Sequence, residues 1–442
     1  MSVKSRSDTK GEGTSRQWLP HWERLVVPVR QLLAIAGLLA VGAVSLGSCT
    51  TVPRAPLEIS QVSFADYREE TLRQMRARRD FQQGDHEAEL QWNAPREWRP
   101  VGLDAKALPA KGILLVHGLG DSPWSFHDVG HALSEQGFLV RTVLLTGHGT
   151  RPEDMLTVSA EQWQRLVHEQ AGSLQRDVAG PVYLGGFSTG ANLVVDYAYR
   201  HPEISGLVLF SPGFKSMPFD WVAPLASKVR PWIITPNGSF PGQTPVRYLN
   251  VPTNGYAQFY RTSVAARQLL VRSYDKPVFM AVAEHDSVLD TDYLLDVFQR
   301  RFTHPDSRMV WYGTIPKQMH DLGRILVRGD RLPAYRISQF SHMGLMFSPK
   351  NALYGSHGTL RICLNGQTEA AAQACKRGDP VWYSDWGYRE DGKTHARLTY
   401  NPYFDWQTAI MVATLDGQHR VRPGGPESRA PGKSSVIRQG RQ

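Results

Sequence analysis

From about residue 112 onward, short apolar runs alternate with longer stretches whose apolar positions recur at helical spacing. The runs Ile113 to Val116, Phe138 to Leu145, Val182 to Gly185, Gly206 to Phe210, Val278 to Val282 and Met309 to Tyr312 predict strands. Between them, Ala160 to Gln175, Ala191 to Tyr199 and Asp292 to Phe302 predict helices. Alternation of this kind builds an α/β sheet with helices on its faces. Upstream, residues 50–110 are polar and rich in Arg and Glu, with a helix expected near Phe64 to Phe81. That stretch reads as a spacer that joins the domain near Trp92. No internal repeat is visible. A β-α alternation supports many unrelated functions, so chemistry has to be sought in particular residues.

The two ends of the chain have a different character. Leu32 to Leu46 carries no charge, follows Arg30 and is shorter than the ~20 residues of a spanning helix, which fits the apolar core of a secretory signal. It runs into Leu46-Gly47-Ser48-Cys49, which resembles the lipobox of bacterial lipoproteins. The resemblance implies a mature chain that begins at Cys49 and carries lipid there, with two or three acyl chains giving stable membrane attachment. A plain anchor helix with an incidental Cys is the alternative. Thr50, where a retention signal would have Asp, resembles outer-membrane cargo if the host is Gram-negative. With Cys49 lipidated, Cys363 and Cys375 remain, and in an exported, oxidising setting they are expected to pair. Three Cys without a CxxC give no zinc site, and no metal or organic cofactor is expected. At the other end, residues 417–442 are rich in Gly, Pro and Arg and read as a flexible basic tail.

The 442 residues carry 50 Lys and Arg against 41 Asp and Glu, with 41% hydrophobic residues. Their mean hydropathy is −0.35. These values exclude wholesale disorder, a collagen-like chain, a disulfide-dense miniature and a polytopic membrane protein. The net charge of +9 raises the question of nucleic-acid binding. Of that charge, +3 lies in residues 1–48 and +5 in residues 417–442, which leaves +1 for everything between. A nearly neutral body without a basic helix or stacking motif gives nucleic acid no footprint.

Gly186-Phe187-Ser188-Thr189-Gly190 stands between a predicted strand and a predicted helix. A Ser on so tight a turn is exposed for attack, and Gly two positions before and after leaves room for the chain to pass. Its hydroxyl needs a base, and the base needs an acid to orient it. Asp286, in Ala283-Glu284-His285-Asp286 after the strand Val278 to Val282, is the candidate acid. Glu284, Asp290 and Asp292 compete, although Asp290 and Asp292 look like the cap of the following helix. His342, in Ser341-His342-Met343-Gly344-Leu345, is the candidate base because it follows the alternating run Tyr335 to Phe340, expected to be near a final strand. His320 is its rival. His117-Gly118-Leu119-Gly120 follows the strand Ile113 to Val116 and can turn the Leu119 N–H toward a developing oxyanion, with the Thr189 N–H as second donor.

These residues resemble the α/β-hydrolase superfamily, and within it the monoacylglycerol lipases, carboxylesterases and serine aminopeptidase-like hydrolases. The resemblance covers about residues 111–345, on LLVHGLGDSP, the segment around Gly147-His148-Gly149, GFSTG and AVAEHD. It implies an α/β fold with a mostly parallel eight-stranded sheet, a Ser188, Asp286, His342 triad and a helical cap at about 213–275. The cap's aromatics, among them Trp221, Phe240, Tyr248 and Phe259, suit an apolar acyl pocket, although packing of the insertion explains most of them equally well. The 56-residue interval from Asp286 to His342 requires an insertion near 314–335. A second one, about 350–400, holds the expected disulfide and the run Val381 to Trp386, and edges the mouth of the site. The expected organisation is therefore a signal at 1–48, a spacer at 49–110, a hydrolase domain at 111–416 and a tail at 417–442.

The function expected is a membrane-anchored serine esterase or lipase of the cell envelope, acting on a small-molecule or lipid ester through an acyl-enzyme on Ser188. No nucleic acid and no obligate protein partner are expected. The alternatives are amide or peptide hydrolysis by the same residues, and a non-catalytic envelope binding protein on the same fold.

Overall fold

The computed structural model describes residues 63–235 and 242–417, apart from Met217 and Phe219. The signal segment, Cys49 and the basic tail beyond Gly417 lie outside the described residues, as does Phe240.

Two helices open the described chain. In α1 (Phe64–Arg78) the cap is Ser63, whose side chain accepts the Asp66 N–H, and in α2 (His86–Asn93) it is Asp85, which accepts the Ala88 N–H. Residues 63–110 are not a spacer. Leu72 and Met75 pack with Leu90, Ala94 and Leu144. Buried Arg79 joins Glu89 at 2.7 Å and donates to the Gly149 and Pro245 carbonyls. A periodicity weak enough to read as solvated hides a helix that is fastened by a few large side chains and one enclosed ion pair.

The sheet follows. Its strands are β1 (Glu97–Trp98), β2 (Lys111–Val116), β3 (Phe138–Val143), β4 (Val182–Phe187) and β5 (Ile204–Phe210), interleaved with α3 (His127–Glu135), α4 (Ala160–Arg176) and α5 (Thr189–Ala198). An excursion then carries α6 (Ala223–Val229), the short hairpin of β6 (Gln243–Thr244) and β7 (Arg247–Tyr248), and α7 (Thr253–Leu269). The chain returns through β8 (Val278–Ala283), α8 (Thr291–Arg301), β9 (Arg308–Tyr312) and β10 (Ile325–Arg328). After these come α9 (Glu369–Lys376), the parallel pair β11 (Trp382–Ser384) and β12 (His395–Arg397), and α10 (Phe404–Asp416).

The eight-stranded sheet has the order β1-β3-β2-β4-β5-β8-β9-β10, and only β1 runs antiparallel to its neighbour. Leu114, Leu184, Leu207 and Met280 face one core, while Ile113, Tyr183, Val208 and Phe279 face the other. Burial on both faces is why these strands read as continuous apolar runs rather than alternating ones. Progress along the sheet reverses at β2, between β3 and β4. A parallel sheet offers its ligand crevice outside the carboxyl ends of the strands at such a reversal.

Two expectations change at the far edge. The eighth strand is β10, inside the stretch read as an insertion, paired with β9 from Ile325 opposite Met309 onward. The run Tyr335 to Phe340 is not a strand. Pro333–Tyr335 form a 3-10 turn, Arg336 takes φ +54°, and Ile337 makes only isolated bridges to Leu332 and Tyr383. Tyr335 and Arg336 are exposed, and Ile337 to Phe340 are buried in succession, with Ile337 and Ser338 lying against Tyr383 of the 350–400 segment rather than in the sheet ladder.

Candidate active site

The sequence Gly-Phe-Ser-Thr-Gly leaves the end of β4 and enters α5 with Ser188 at φ +52° and ψ −113°, a left-handed backbone that a non-glycine residue adopts only when its surroundings enforce it. Both glycines of the motif are sterically required. A Cβ on Gly190 would collide with the carbonyl oxygens of Val116 and His117, and one on Gly186 with the backbone of Ala191. The strained turn is held by the Ser188 N–H, which donates to the Phe210 carbonyl, and by the Ser188 carbonyl, which accepts from Gly213.

Asp286 lies in the turn after β8 and is buried. Its Oδ1 accepts the N–H groups of Val288 and Leu289, at 2.9 and 3.2 Å. Its Oδ2 is 2.7 Å from Nδ1 of His342. A carboxylate held by two backbone donors only accepts, so the proton of this contact sits on Nδ1 and leaves the lone pair on Nε2 of His342. The imidazole ring packs against the Phe187 ring beside Ser188, with centroids 5.0 Å apart. Its backbone is fixed by Ser211, whose hydroxyl donates to the His342 carbonyl at 2.9 Å. Ser211 itself takes φ +38° at the end of β5. A lone Ser after an apolar run carries no sequence signal, so this support was not foreseen.

The competing residues lie in other roles. Asp290 accepts the Tyr293 N–H as the cap of α8, as its position predicts. Glu284 accepts from the N–H and hydroxyl of Thr314, and Asp292 accepts from the Gln318 amide. His320 is exposed in the loop between β9 and β10, where its N–H donates to Gln299. The structure brings Ser188, Asp286 and His342 to one sheet edge and leaves His320 outside.

The loop after β2 passes close to Ser188. A Cβ on Gly118 would lie 3.2 Å from the Ser188 Cβ, so only glycine lets the loop approach this far. Among the described residues neither the Leu119 nor the Thr189 N–H has a hydrogen-bond acceptor. For Thr189 this follows from its place in the first turn of α5, where backbone donors are unpaired by geometry.

Two histidines hold the loop. His148 Nε2 accepts the Gly120 N–H at 3.0 Å, and His117 Nε2 accepts the Leu145 N–H at 3.0 Å. Each ring therefore carries its proton on Nδ1, where His117 donates to Gly118 and His148 to Leu145. Burial pushes His117 down to about 4. Burial, with the neighbouring His117, pushes His148 down to about 3. Both are neutral near pH 7. The sequence placed them in HGLG and GHG without revealing that they grip each other's loops.

The 350–400 segment also reaches the site. Cys363 and Cys375 form a disulfide, with Cα atoms 5.6 Å apart. Nearby, fully buried Asp385 accepts the N–H of Ser287, the residue after Asp286. Among the described residues no group of three or more His, Cys, Asp or Glu is placed to hold a metal ion.

A mostly parallel sheet that reverses at β2, with a strained Ser turn and a His–Asp pair at its carboxyl edge, is the arrangement of the α/β-hydrolase fold. More particularly, residues 108–322 match the family described as serine aminopeptidase, S33. A thermostable monoacylglycerol lipase from Bacillus sp. (strain H-257) is 35% identical over 97 residues, which is 22% of this chain and 38% of that relative. The match thus spans well under half of the relative's length. Among solved structures, that of the metagenome-derived lipolytic enzymes LipS and LipT aligns with 19% identity over 52% of this chain and 90% of its own, at a TM-score of 0.42. A monoacylglycerol lipase from Paleococcus ferrophilus aligns with 19% identity over 49% of this chain and 87% of its own, at a TM-score of 0.39.

Proposed function

We propose that the protein is a serine hydrolase that cleaves carboxylic esters through an acyl-enzyme on Ser188. The observation that carries this reading is the strained Ser188 turn on the same sheet edge as a His342 ring whose Nδ1 is 2.7 Å from Asp286. Nε2 of His342 takes the proton of Ser188 as Oγ attacks the ester carbonyl, and Asp286 stabilises the imidazolium that forms. The N–H groups of Leu119 and Thr189 donate to the oxyanion, each worth about 3 kcal/mol of transition-state stabilisation. Nε2–H then protonates the leaving alcohol. Water, deprotonated by the same nitrogen, releases the acid and restores the Ser188 hydroxyl.

Hydrolysis of p-nitrophenyl butyrate by the purified protein tests the reading. Ser188→Ala and His342→Ala should each lower kcat by at least 10³-fold, and Ser188→Ala should abolish labelling by a fluorophosphonate. His320→Ala should stay within about twofold, as a surface substitution away from the site. Unchanged turnover in Ser188→Ala would overturn the proposal. A second reading, amide or peptide hydrolysis by the same residues, is favoured by the description of the matched family. Faster turnover of aminoacyl p-nitroanilides than of acyl esters would select it.

Cys49 extends the proposal to location. A lipidated N-terminus would place the hydrolase on a membrane of the cell envelope, where lipid esters are concentrated.

A further inference from the structure

Arg247 opens β7 of the cap hairpin, and its neighbours on both sides belong to the site. Tyr248, the next residue, donates its N–H to the Gly120 carbonyl at 2.6 Å and so ties the hairpin to the loop that carries Leu119. On the other side, Nη1 of Arg247 is 2.9 Å from Sδ of Met343, the residue after His342. The guanidinium thus lies against the residue after the candidate base, and the backbone that carries it is tied through Tyr248 to the loop of the candidate oxyanion donor. Its own N–H donates to the Thr244 hydroxyl across the hairpin, which fixes the root of the side chain.

What this cation lacks is an anion. Its Nε is buried without an acceptor, and among the described residues it forms no ion pair. A thioether sulfur is only a weak acceptor. Two other arginines are satisfied by carboxylates, whereas Arg328, like Arg247, has a buried Nε without an acceptor and lies over the Trp406 ring. Arg79 pairs with Glu89, and Arg141 pairs with Glu97 and Asp177, each at 2.7 Å. Asp121, a buried carboxylate beside Gly120, accepts the Ser122 N–H and, among the described residues, pairs with no arginine. A second cation is close by. Burial pushes Arg397 down, opposed by Asp385, and the charge of Arg247 pushes it in the same direction as burial. A partly buried guanidinium without a counter-charge is left with weak partners unless something supplies an anion. The planar fork of Arg is shaped to take carboxylate or phosphate oxygens two at a time.

We propose that Arg247 is a specificity-determining residue that receives an anionic group, carboxylate or phosphate, carried by the ester substrate. The inference rests on the ester-hydrolase reading of the same site. A carboxylate would come from the acyl side, as in the half-ester of a dicarboxylic acid. A phosphate would come from the alcohol side, as in an acylated glycerol phosphate.

Two substrate pairs distinguish the sources and test the proposal: mono-p-nitrophenyl glutarate against its methyl ester, and 1-acylglycerol 3-phosphate against 1-acylglycerol. In the wild-type protein the anionic member of one pair should have the higher kcat/KM by at least tenfold. Arg247→Met should cut that ratio at least tenfold, and Arg247→Lys should retain part of it, because a point charge replaces the fork. If Arg247→Met does not fold, as read by its thermal melt, Arg247→Gln and the wild-type ratios decide. A wild-type ratio at or below one in both pairs would overturn the inference, as would a ratio that Arg247→Met leaves unmoved. Either result, with Ser188→Ala inactive on the neutral esters, removes the anion site alone. Ester turnover that survives Ser188→Ala removes the underlying reading instead.

Discussion

At the scale of single residues, the site depends on groups that must stay neutral as much as on those that react. His117 and His148 each accept a backbone N–H at Nε2, which a protonated imidazole cannot do. Their pKa values are pushed below the ordinary 6.5, to about 4 and about 3. The unfolded chain therefore takes up two protons as the pH falls below 6.5, while the folded chain refuses them until about 4. Stability is thus lost on acidification, by about 1.4 kcal/mol per pH unit for each ring across that window. His285 has the opposite sign. Its bond to Asp330 raises it above 6.5, so its contribution is present at low pH and fades as the pH rises through the raised value. The difference between wild type and His148→Gln isolates the effect, since Gln keeps an acceptor for Gly120 and does not titrate. Urea melts at pH 7, 6 and 5 should show wild type losing stability faster than the variant, by about 0.7 kcal/mol from pH 7 to 6 and about 1.2 kcal/mol from pH 6 to 5. Parallel pH dependences would show that His148 is not a buried neutral ring.

At the scale of elements, the 350–400 segment stands on the loop of the candidate acid, Asp286. Asn365, two residues from Cys363, donates to Ser384 Oγ and to the Asp385 carbonyl, and accepts from Arg397. Asp385 in turn accepts the Ser287 N–H. The acid's loop is thereby held from behind by a disulfide-stapled insertion, and Asp385 is a positioning residue for Asp286. Asp385→Ala should lower kcat roughly tenfold with KM within twofold, while Asp385→Asn, which still offers an oxygen to Ser287, should recover most of the loss. Equal loss of kcat and of thermal stability in both variants would reduce Asp385 to a packing role. Asp385 shows where sequence reading stops. The strands β2, β4, β5 and β8 were readable because burial on both faces makes them unbroken apolar runs, and the Ser188 turn because two glycines are sterically forced there. Asp385 lies 99 positions from Asp286, and the bond it makes is to a backbone amide, which leaves no residue type to recognise. β10 was hidden for a related reason: an edge strand of four residues, mostly half-buried, lacks the apolar run that marked its neighbours. Helix α1 was located but misread as a spacer, because its contacts are few and distant in sequence.

At the scale of the whole molecule, the question is what would bring a nearly neutral catalytic body to its substrate. Residues 49–416 carry +1, so long-range attraction to an anionic surface would have to come from the terminal segments or from lipid. Among the described residues no helix is long and apolar enough to cross a membrane. The proposed anchor is Cys49, and two other modes make different forecasts. A basic tail bearing +5 would attach electrostatically, at about 1 kcal/mol per cation near an anionic leaflet, and would be stripped by 0.5 M salt, where the Debye length is a few ångströms. A retained apolar segment at Leu32 to Leu46 would hold the chain whether or not Cys49 were present. Two or three acyl chains on Cys49 would resist salt, at about 0.8 kcal/mol for each buried methylene, yet depend wholly on the sulfur. Expressed in a Gram-negative host, the wild-type chain should sediment with membranes after a high-salt wash. Its N-terminal peptide should begin at Cys49 and carry the mass of the acyl groups. Cys49→Ser should shift most of the protein to the soluble fraction or leave its precursor uncleaved at full length. A Cys49→Ser chain that sediments as a processed protein, or a wild-type chain released by salt, would overturn lipid anchoring and leave the hydrolase reading of Ser188 untouched.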